Sequence, residues 1–328
     1  MARRVLRVAG RTVATLLLLL VLILAGLRIA AAWREDETGR PAATRMIATP
    51  LGHVAVATSG PEDGPAILLI HGTAGWSGFW RDVSAHLAAR GWRVIAVDLP
   101  PFGYSDQDPQ ARYDRLSQAR RLSAVLRDAA GAPAVVVGHS FGAGAATELA
   151  LRFPEQVKSL VLVDAALGEL DPAPAAPSLT DRMLDTGAIA QPLVSASVTN
   201  PWALAPLVRM MVARKDSVDP WLVTLRQPMR REGTTAAYAA WLPNLFLLDD
   251  AGWSRRSARI AAIRMPVALI WGEADNVTPI AQGERIARLT KARSFARLPG
   301  LGHIPHIEDP AAFLAALDGA IAVDREPR

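Results

Sequence analysis

The sequence predicts an α/β fold in which helices cover both faces of a mostly parallel central sheet. Near-continuous runs of Val, Ile and Leu alternate along the chain with helix-like segments, and such runs are typical of parallel strands buried on both faces. The clearest runs are PAILLIH (65–71), WRVIAVD (92–98), APAVVVGH (132–139), KSLVLVDA (158–165) and PVALIWGE (266–273). With 328 residues, 51% of them hydrophobic, the chain is long enough to bury a large core and a subdomain. We expect the core to comprise 46–166 and 258–328, with 167–257 as an inserted helical cap.

The first segment, 1–34, has the pattern of a membrane-spanning helix. Basic residues in RRVLRVAGR precede an uncharged stretch from Thr12 to Leu27, and apolar residues resume after Arg28. A bilayer requires about 20 apolar residues, a length that this segment reaches if the Arg28 side chain extends to the interface. Because a basic flank favours the cytoplasmic side and the acidic stretch REDE follows the helix, we expect the body of the protein outside the cytoplasm.

Two other export signals fit the same segment. Ala30 and Ala32 form an A-x-A-like cleavage site, as in a signal peptide whose removal would leave the body secreted or periplasmic. Arg3 and Arg4 form the pair that occurs in twin-arginine signals. We favour an uncleaved anchor, because the apolar segment is long for a signal peptide.

Composition excludes several kinds of site. The chain has no cysteine, which excludes disulfides, thiolate metal sites and cysteine nucleophiles. Its formal net charge is +5, and its basic residues are nearly all arginines scattered among acidic residues. We therefore expect no nucleic-acid partner.

The remaining segments complete this arrangement. A polar linker, 35–45, leads into RMIATPLGHVAVATSG, which predicts two short strands about a turn. Helices are predicted at 77–91, at 114–131 and from the GHSFG stretch to Phe153, and a last strand at 293–299. The cap segment begins with the proline-rich DPAPAAPS and is rich in Trp and Met. We expect most of these large side chains to form the cap's own core and a minority to face substrate.

The stretch VVVGHSFGAG places Ser140 between a buried strand and a helix. The carboxyl edge of a parallel sheet is where ligands bind in such folds. A sharp turn from strand to helix needs small neighbours, which Gly138 and Gly142 supply, and it exposes the hydroxyl in front of a helix N-terminus. We predict that Ser140 is a nucleophile at a nucleophile elbow.

A serine nucleophile needs a base, and the base needs an acid that orients it. In GLGHIPHIEDP, after the last strand, His303 is the predicted base, and His306 is the alternative. In WGEADNVTP, Asp275 is the predicted acid because it lies in a loop after a strand. Asp164, at the end of KSLVLVDA, competes for the same role.

The order Ser, Asp, His and five motifs in sequential places resemble the α/β-hydrolase family, from about Thr44 to the C-terminus. The motifs are HGTAG (71–75), DLPPFGYSD (98–106), GHSFG (138–142), GEADNVTP (272–279) and GLGH (300–303). Pro101 departs from the glycine that is usual in the second motif. The resemblance implies an oxyanion hole formed by the backbone N–H groups of Thr73 and Phe141.

The resemblance also implies the chemistry of acyl transfer, with no cofactor and no metal. We expect a serine hydrolase that cleaves an ester-like bond of a small apolar substrate. A serine nucleophile argues against the haloalkane dehalogenases and epoxide hydrolases of the family, which use aspartate. Carbon–carbon bond hydrolases, cofactor-free perhydrolases, prolyl-type peptidases and a non-catalytic binding module remain alternatives. The expected partners are the small ester-like molecule and, through the N-terminal helix, the membrane.

Overall fold

The computed structural model describes residues 2–36, 39–42, 44–131, 133–173, 179–184, 186–246 and 252–324. Its centre is an eight-stranded sheet in the order β1-β2-β4-β3-β5-β6-β7-β8. The strands are β1 (Arg45–Thr49), β2 (Gly52–Ser59), β3 (Ala66–Ile70), β4 (Arg93–Val97), β5 (Ala134–His139), β6 (Val157–Val163), β7 (Val267–Gly272) and β8 (Ser294–Leu298).

The sheet is parallel except at one edge. Neighbouring strands from β4 through β3, β5, β6 and β7 to β8 are parallel, whereas β1 and β2 join the β4 edge antiparallel. Every residue of β3, β5 and β7 is buried, as the uninterrupted apolar runs predict. Ile70, the last residue of β3, pairs with Gly138 of β5, so the loops that follow these two strands meet at the carboxyl edge.

Helices cover both faces of the sheet, and the predicted fold class is confirmed. The helices are α1 (Ala2–Arg34), α2 (Arg81–Ala89), α3 (Arg115–Ala129), α4 (Phe141–Arg152), α5 (Leu179–Leu184), α6 (Gly187–Ala196), α7 (Leu204–Met211), α8 (Leu222–Arg226), α9 (Thr234–Trp241), α10 (Pro243–Phe246), α11 (Ser257–Ile260), α12 (Ile280–Thr290), α13 (Pro305–Glu308) and α14 (Pro310–Ile321). One core lies between the sheet and α3, α4 and α12, and the other between the sheet and α2 and α14. The two cores hold the carboxyl edge rigidly.

The segment between β6 and β7 contributes helices α5 to α11 and a third apolar cluster. Trp221, Met229 and Trp241 are buried in this cluster, together with Phe141 from the start of α4. Trp202, by contrast, is 81% exposed. This segment therefore packs on the residues around the carboxyl edge; its role as a cap stays a prediction.

Helix α1 projects from the body at one end and contacts it at the other. Within the part of the chain that the structure describes, Arg7–Arg34 is the helix that is long and apolar enough to cross a membrane. Its side chains are exposed from Arg7 to Ile23, and its last turns pack against α6. Ala31, on the contacting side, is 2% exposed.

Candidate active site

Ser140 lies at the junction of β5 and α4 in a strained backbone conformation. Its φ is +50° and its ψ is −122°, a region that residues with a side chain rarely adopt and that is found at nucleophile elbows. A Cβ on Gly142 would lie 2.2 Å from the His71 carbonyl oxygen, and a Cβ on Gly138 would lie 2.8 Å from the Cα of Ala143. Both positions therefore require glycine for this turn to form.

His303, in the loop after β8, reaches the serine hydroxyl. Its Nε2 lies 2.8 Å from the Ser140 Oγ, and its Nδ1 lies 2.8 Å from Oδ2 of Asp275. Because a carboxylate only accepts, Nδ1 carries the proton, and Nε2 is free to accept from the hydroxyl. The backbone N–H of His303 donates to the Met211 carbonyl oxygen at 2.9 Å, so the α7 end of the cap segment holds the histidine loop.

Asp275 follows β7 in a loop rich in donors. Its Oδ1 accepts from the N–H groups of Val277 and Thr278 at 2.7 and 2.9 Å, and its Oδ2 accepts from the Thr278 hydroxyl at 2.5 Å. Burial alone would raise the pKa of Asp275, but the hydrogen bond and charge of His303 and the Thr278 donors outweigh it and lower the pKa. Asp275 therefore stays ionised beside the imidazole.

Asp164, the competing acid, lies next to Asp275 and not against the imidazole. Its Oδ1 accepts from the Gly272 N–H at 2.8 Å, and its carbonyl oxygen lies 3.2 Å from the Thr278 hydroxyl, whose proton points to Asp275. Burial, together with the negative charge of Asp275, raises the pKa of Asp164 well above its usual value. A protonated Asp164 places a neutral group beside Asp275 and avoids a second buried negative charge.

His306, the alternative base, faces away from the serine. Its ring stacks on Trp80 with centroids 4.5 Å apart and meets Phe79 edge-on at 4.9 Å. Neither ring nitrogen has a hydrogen-bond partner among the described residues, and burial holds the pKa of His306 well below its usual value. His306 is thus a neutral, buried aromatic residue.

The two predicted oxyanion donors border the same space as Ser140. Thr73 and Phe141 line one cavity with Ser140 and His303. Across the described ranges, the N–H of Thr73 has no backbone acceptor, and that of Phe141 has none outside α4. A Cβ on Gly72 would lie 2.9 Å from the Ser140 Cβ, so the loop that carries Thr73 passes directly over the serine.

His71 holds that loop through two hydrogen bonds, which fix the tautomer of its ring. Its Nδ1 donates to the Gly72 carbonyl oxygen at 2.7 Å, and its Nε2 accepts from the Leu99 N–H at 2.8 Å. Both bonds together require neutral imidazole. Burial lowers the pKa of His71 to about 4, in agreement with that requirement.

The cavity over the serine has a volume of about 330 Å³, within the usual range for small-molecule sites. Its apolar lining residues are Phe79, Phe141, Met211, Leu245, Val277 and Ile304. Its polar lining residues beyond the serine and histidines include Arg115, Asn244 and Gln282. The space fits an apolar group next to a reacting carbonyl.

Sequence reasoning missed two residues that build this site. Arg115 is buried at the start of α3 and donates to the carbonyl oxygens of Ala166 and Leu167, at 2.6 and 3.1 Å, where the chain leaves the sheet for the cap segment. Thr278 binds both carboxyl-bearing loops through its hydroxyl. The threonine could have been found from its place three residues after Asp275, whereas nothing local marks Arg115.

The serine, imidazole and carboxylate on the carboxyl edge of this sheet have the arrangement of a serine hydrolase. A family model for the α/β hydrolase fold matches residues 65–310. The chain belongs to the α/β-hydrolase family, and its homologues support a hydrolase.

Individual relatives span several activities. The chain is 28% identical over 284 residues to the putative hydrolase LipZ of Mycobacterium tuberculosis, covering 83% of this chain and 93% of LipZ. It is 28% identical to the 2-hydroxymuconate semialdehyde hydrolase of a Pseudomonas species, covering 78% of this chain and 86% of that enzyme. The crystal structure of a bacterial membrane phospholipase A superposes with a TM-score of 0.62 at 24% identity, covering 98% of this chain and 99% of that one. That last likeness is one of fold.

Proposed function

We propose that this protein is a serine hydrolase that cleaves an ester-like bond of an apolar substrate through Ser140, His303 and Asp275. The observation that carries the proposal is the pair of 2.8 Å contacts that join the hydroxyl, imidazole and carboxylate. The strained backbone of Ser140 supports it, because that strain has no other role in a strand-to-helix turn.

In this mechanism, His303 Nε2 removes the Ser140 proton as Oγ attacks the substrate carbonyl. The N–H groups of Thr73 and Phe141 bind the oxyanion of the tetrahedral intermediate. The imidazolium then protonates the leaving alcohol, which leaves an acyl group on Ser140. His303 next activates water, which releases the acid and restores the serine. The ionised Asp275 stabilises the imidazolium in both half-reactions.

An apolar acyl or aryl group is the preferred substrate in this proposal. The side chains of Phe79, Met211 and Leu245 line the cavity from three separate segments, so an apolar group in it would be largely removed from water. Each buried methylene contributes about 0.8 kcal/mol of binding. We therefore expect esters of medium-length acids to be hydrolysed faster than acetates.

Cleavage of a carbon–carbon bond is the second candidate. The likeness to 2-hydroxymuconate semialdehyde hydrolase favours it. A cofactor-free perhydrolase, a prolyl-type peptidase and a non-catalytic binding module have no comparable observation in their favour.

We further propose that α1 is an uncleaved membrane anchor with the body outside the cytoplasm. Arg28 Nε donates to the Gln191 side chain of α6 at 3.0 Å, and the Glu35 carboxylate accepts from the Thr235 N–H at 2.9 Å. Ala31, between the two alanines of the A-x-A-like site, is buried in this contact. Cleavage there would remove a packed part of the body, which supports retention of the helix.

The test is covalent labelling of the full chain in detergent with a fluorophosphonate. Wild type is expected to label, and Ser140→Ala and His303→Ala are expected to lose labelling while remaining folded by circular dichroism. p-Nitrophenyl esters of increasing acyl length then measure acyl preference. Absence of both labelling and ester turnover in folded wild type would reject the mechanism in favour of a binding module. Labelling with turnover only of a vinylogous diketone would favour carbon–carbon cleavage.

A further inference from the structure

A second cavity, of about 350 Å³, lies where the end of α1 meets the cap segment. On one side it is lined by Trp33, Arg34 and Asp36, from the end of α1 and the residues just beyond. On the other it is lined by residues of the cap segment, including Leu204, Arg226 and Arg230. It shares no lining residue with the cavity over Ser140.

The charge in this cavity is predominantly positive. Three guanidinium groups, those of Arg34, Arg226 and Arg230, line it against one carboxylate, that of Asp36. Arg230 donates to Asp36 at 3.1 Å, whereas the acceptors of Arg34 and Arg226 among the described residues are the backbone carbonyl oxygens of Thr199 and Pro201. The Nε of Arg226 is buried and has no hydrogen-bond partner among the described residues. Within the described ranges, the positive charges of Arg34 and Arg226 have no carboxylate partner, which favours an anionic ligand.

Part of the cavity lining is apolar, and two exposed tryptophans lie in or next to it. Leu204 and Met229 form buried parts of the lining. Trp33 is 80% exposed and Trp202, next to the lining residue Pro201, is 81% exposed. Exposed tryptophans are costly against water and are enriched at the headgroup level of membranes.

The position of the cavity along α1 matches that level. The uncharged stretch of α1 ends at Leu27, and Arg28 is held by Gln191 of α6, so the hydrocarbon layer ends near Arg28. From Arg28 to Trp33 the helix rises about 7.5 Å. The headgroup layer on one side of a bilayer is about 5–8 Å thick. The guanidinium groups of this cavity therefore lie at the depth of lipid phosphates.

From these observations we infer that the cavity between α1 and the cap binds the anionic headgroup of a membrane phospholipid. The phosphate would lie between Arg34 and Arg226, and Trp33 and Trp202 would lie beside the acyl-chain end of the headgroup. The bound lipid would join the anchor to the cap. This inference rests on the proposed insertion of α1 in a membrane and is independent of the chemistry at Ser140.

The experiment places the full chain in nanodiscs made from equal amounts of phosphatidylcholine and phosphatidylglycerol. Native mass spectrometry then identifies and counts the lipids that stay bound when the protein is released from the nanodisc. Wild type is expected to retain phosphatidylglycerol preferentially. The double variant Arg34→Gln, Arg226→Gln is expected to lose about tenfold of that preference, which corresponds to about 1.4 kcal/mol, because both guanidinium groups that would hold the phosphate are removed.

The matched control is Arg209→Gln, which removes a cap arginine paired with Asp219 outside the cavity and should retain the wild-type preference. Equal retention of both lipids by wild type, an unchanged preference in the double variant, or an equal loss in the control would each overturn the inference. So would release of the lipid by millimolar inorganic phosphate, since that would identify a soluble anion as the ligand. Circular dichroism shows that each variant is folded, carbonate extraction shows that α1 is inserted, and fluorophosphonate labelling in the same nanodiscs reports separately on Ser140. A failure of the proposed hydrolase activity or of the proposed membrane anchor is thereby distinguished from a failure of the proposed lipid site.

Discussion

Replacement of His71 by glutamine should remove a defined part of the acid sensitivity of this fold. Burial lowers the pKa of His71 to about 4 from 6.5. The unfolded chain therefore binds a proton between pH 6.5 and 4 that the folded chain does not bind. The contribution of His71 to the free energy of unfolding is fully present above pH 6.5 and is lost as the pH decreases through this window. The difference of about 2.5 pKa units corresponds to about 3 kcal/mol.

The glutamine preserves one of the two hydrogen bonds. Its amide oxygen reaches the position of Nε2 and can accept from the Leu99 N–H, whereas the donor to the Gly72 carbonyl is lost. His71→Gln should therefore be less stable than wild type at pH 7 by about 1 kcal/mol, the typical net contribution of one hydrogen bond. At pH 4 the order reverses, because only wild type has lost the contribution of His71.

Urea unfolding followed by tryptophan fluorescence at pH 7, 5.5 and 4 measures both effects. The quantity of interest is the free-energy difference between variant and wild type at each pH, because contributions of His139 and His306, whose pKa values are also lowered by burial, cancel in it. A difference that stays constant from pH 7 to pH 4 would refute the assignment of His71 as a neutral buried group.

Two further predictions concern the carboxyl pair and the second histidine of GLGHIPHIEDP. Asp275→Asn should lower kcat for ester hydrolysis about 10³–10⁴-fold, because it imposes the wrong tautomer on His303. Asp164→Asn, which puts an amide in place of a neutral carboxyl group, should lower kcat less than tenfold. Comparable losses in the two variants would mean that the acid role is assigned wrongly. His306→Phe should raise the free energy of unfolding by about 1–3 kcal/mol, because it removes two buried nitrogens without partners. Its turnover of p-nitrophenyl esters should be unchanged. Loss of turnover in a folded variant would contradict the placement of His306 outside the reaction.

The sequence was sufficient for those features that depend on local pattern. Runs such as VVVGH specify a strand buried on both faces, and the glycines on each side of Ser140 specify the turn that follows it. The order of the motifs along the chain then assigns each loop to the same sheet edge, because the carboxyl ends of parallel strands lie together. This is why the fold class and the proximity of Ser140, Asp275 and His303 were both predictable.

Contacts between distant segments were not predictable in this way. The choice between Asp275 and Asp164 depends on which carboxylate reaches the imidazole of His303, and in the structure Oδ2 of Asp275 lies 2.8 Å from Nδ1 of His303. Arg115 holds the exit from β6 through backbone carbonyls, which carry no sequence signal. No local sequence pattern predicts the packing of Ala31 on α6, because the residues of α6 occur more than 150 positions later in the chain.

The hydrogen bond between the His303 N–H and the Met211 carbonyl oxygen limits how the cap segment can move when a ligand enters the cavity. Glu308, the last residue of α13, accepts from the N–H groups of Ala213 and Arg214 through its carboxylate, so three hydrogen bonds join the α7 end of the cap segment to the residues from His303 to Glu308. Swinging that end outward would displace the imidazole from the serine. We therefore expect ligands to enter and leave on another side of the cavity, such as the side lined by Asn244 and Leu245, while the α7 end of the cap segment stays in place.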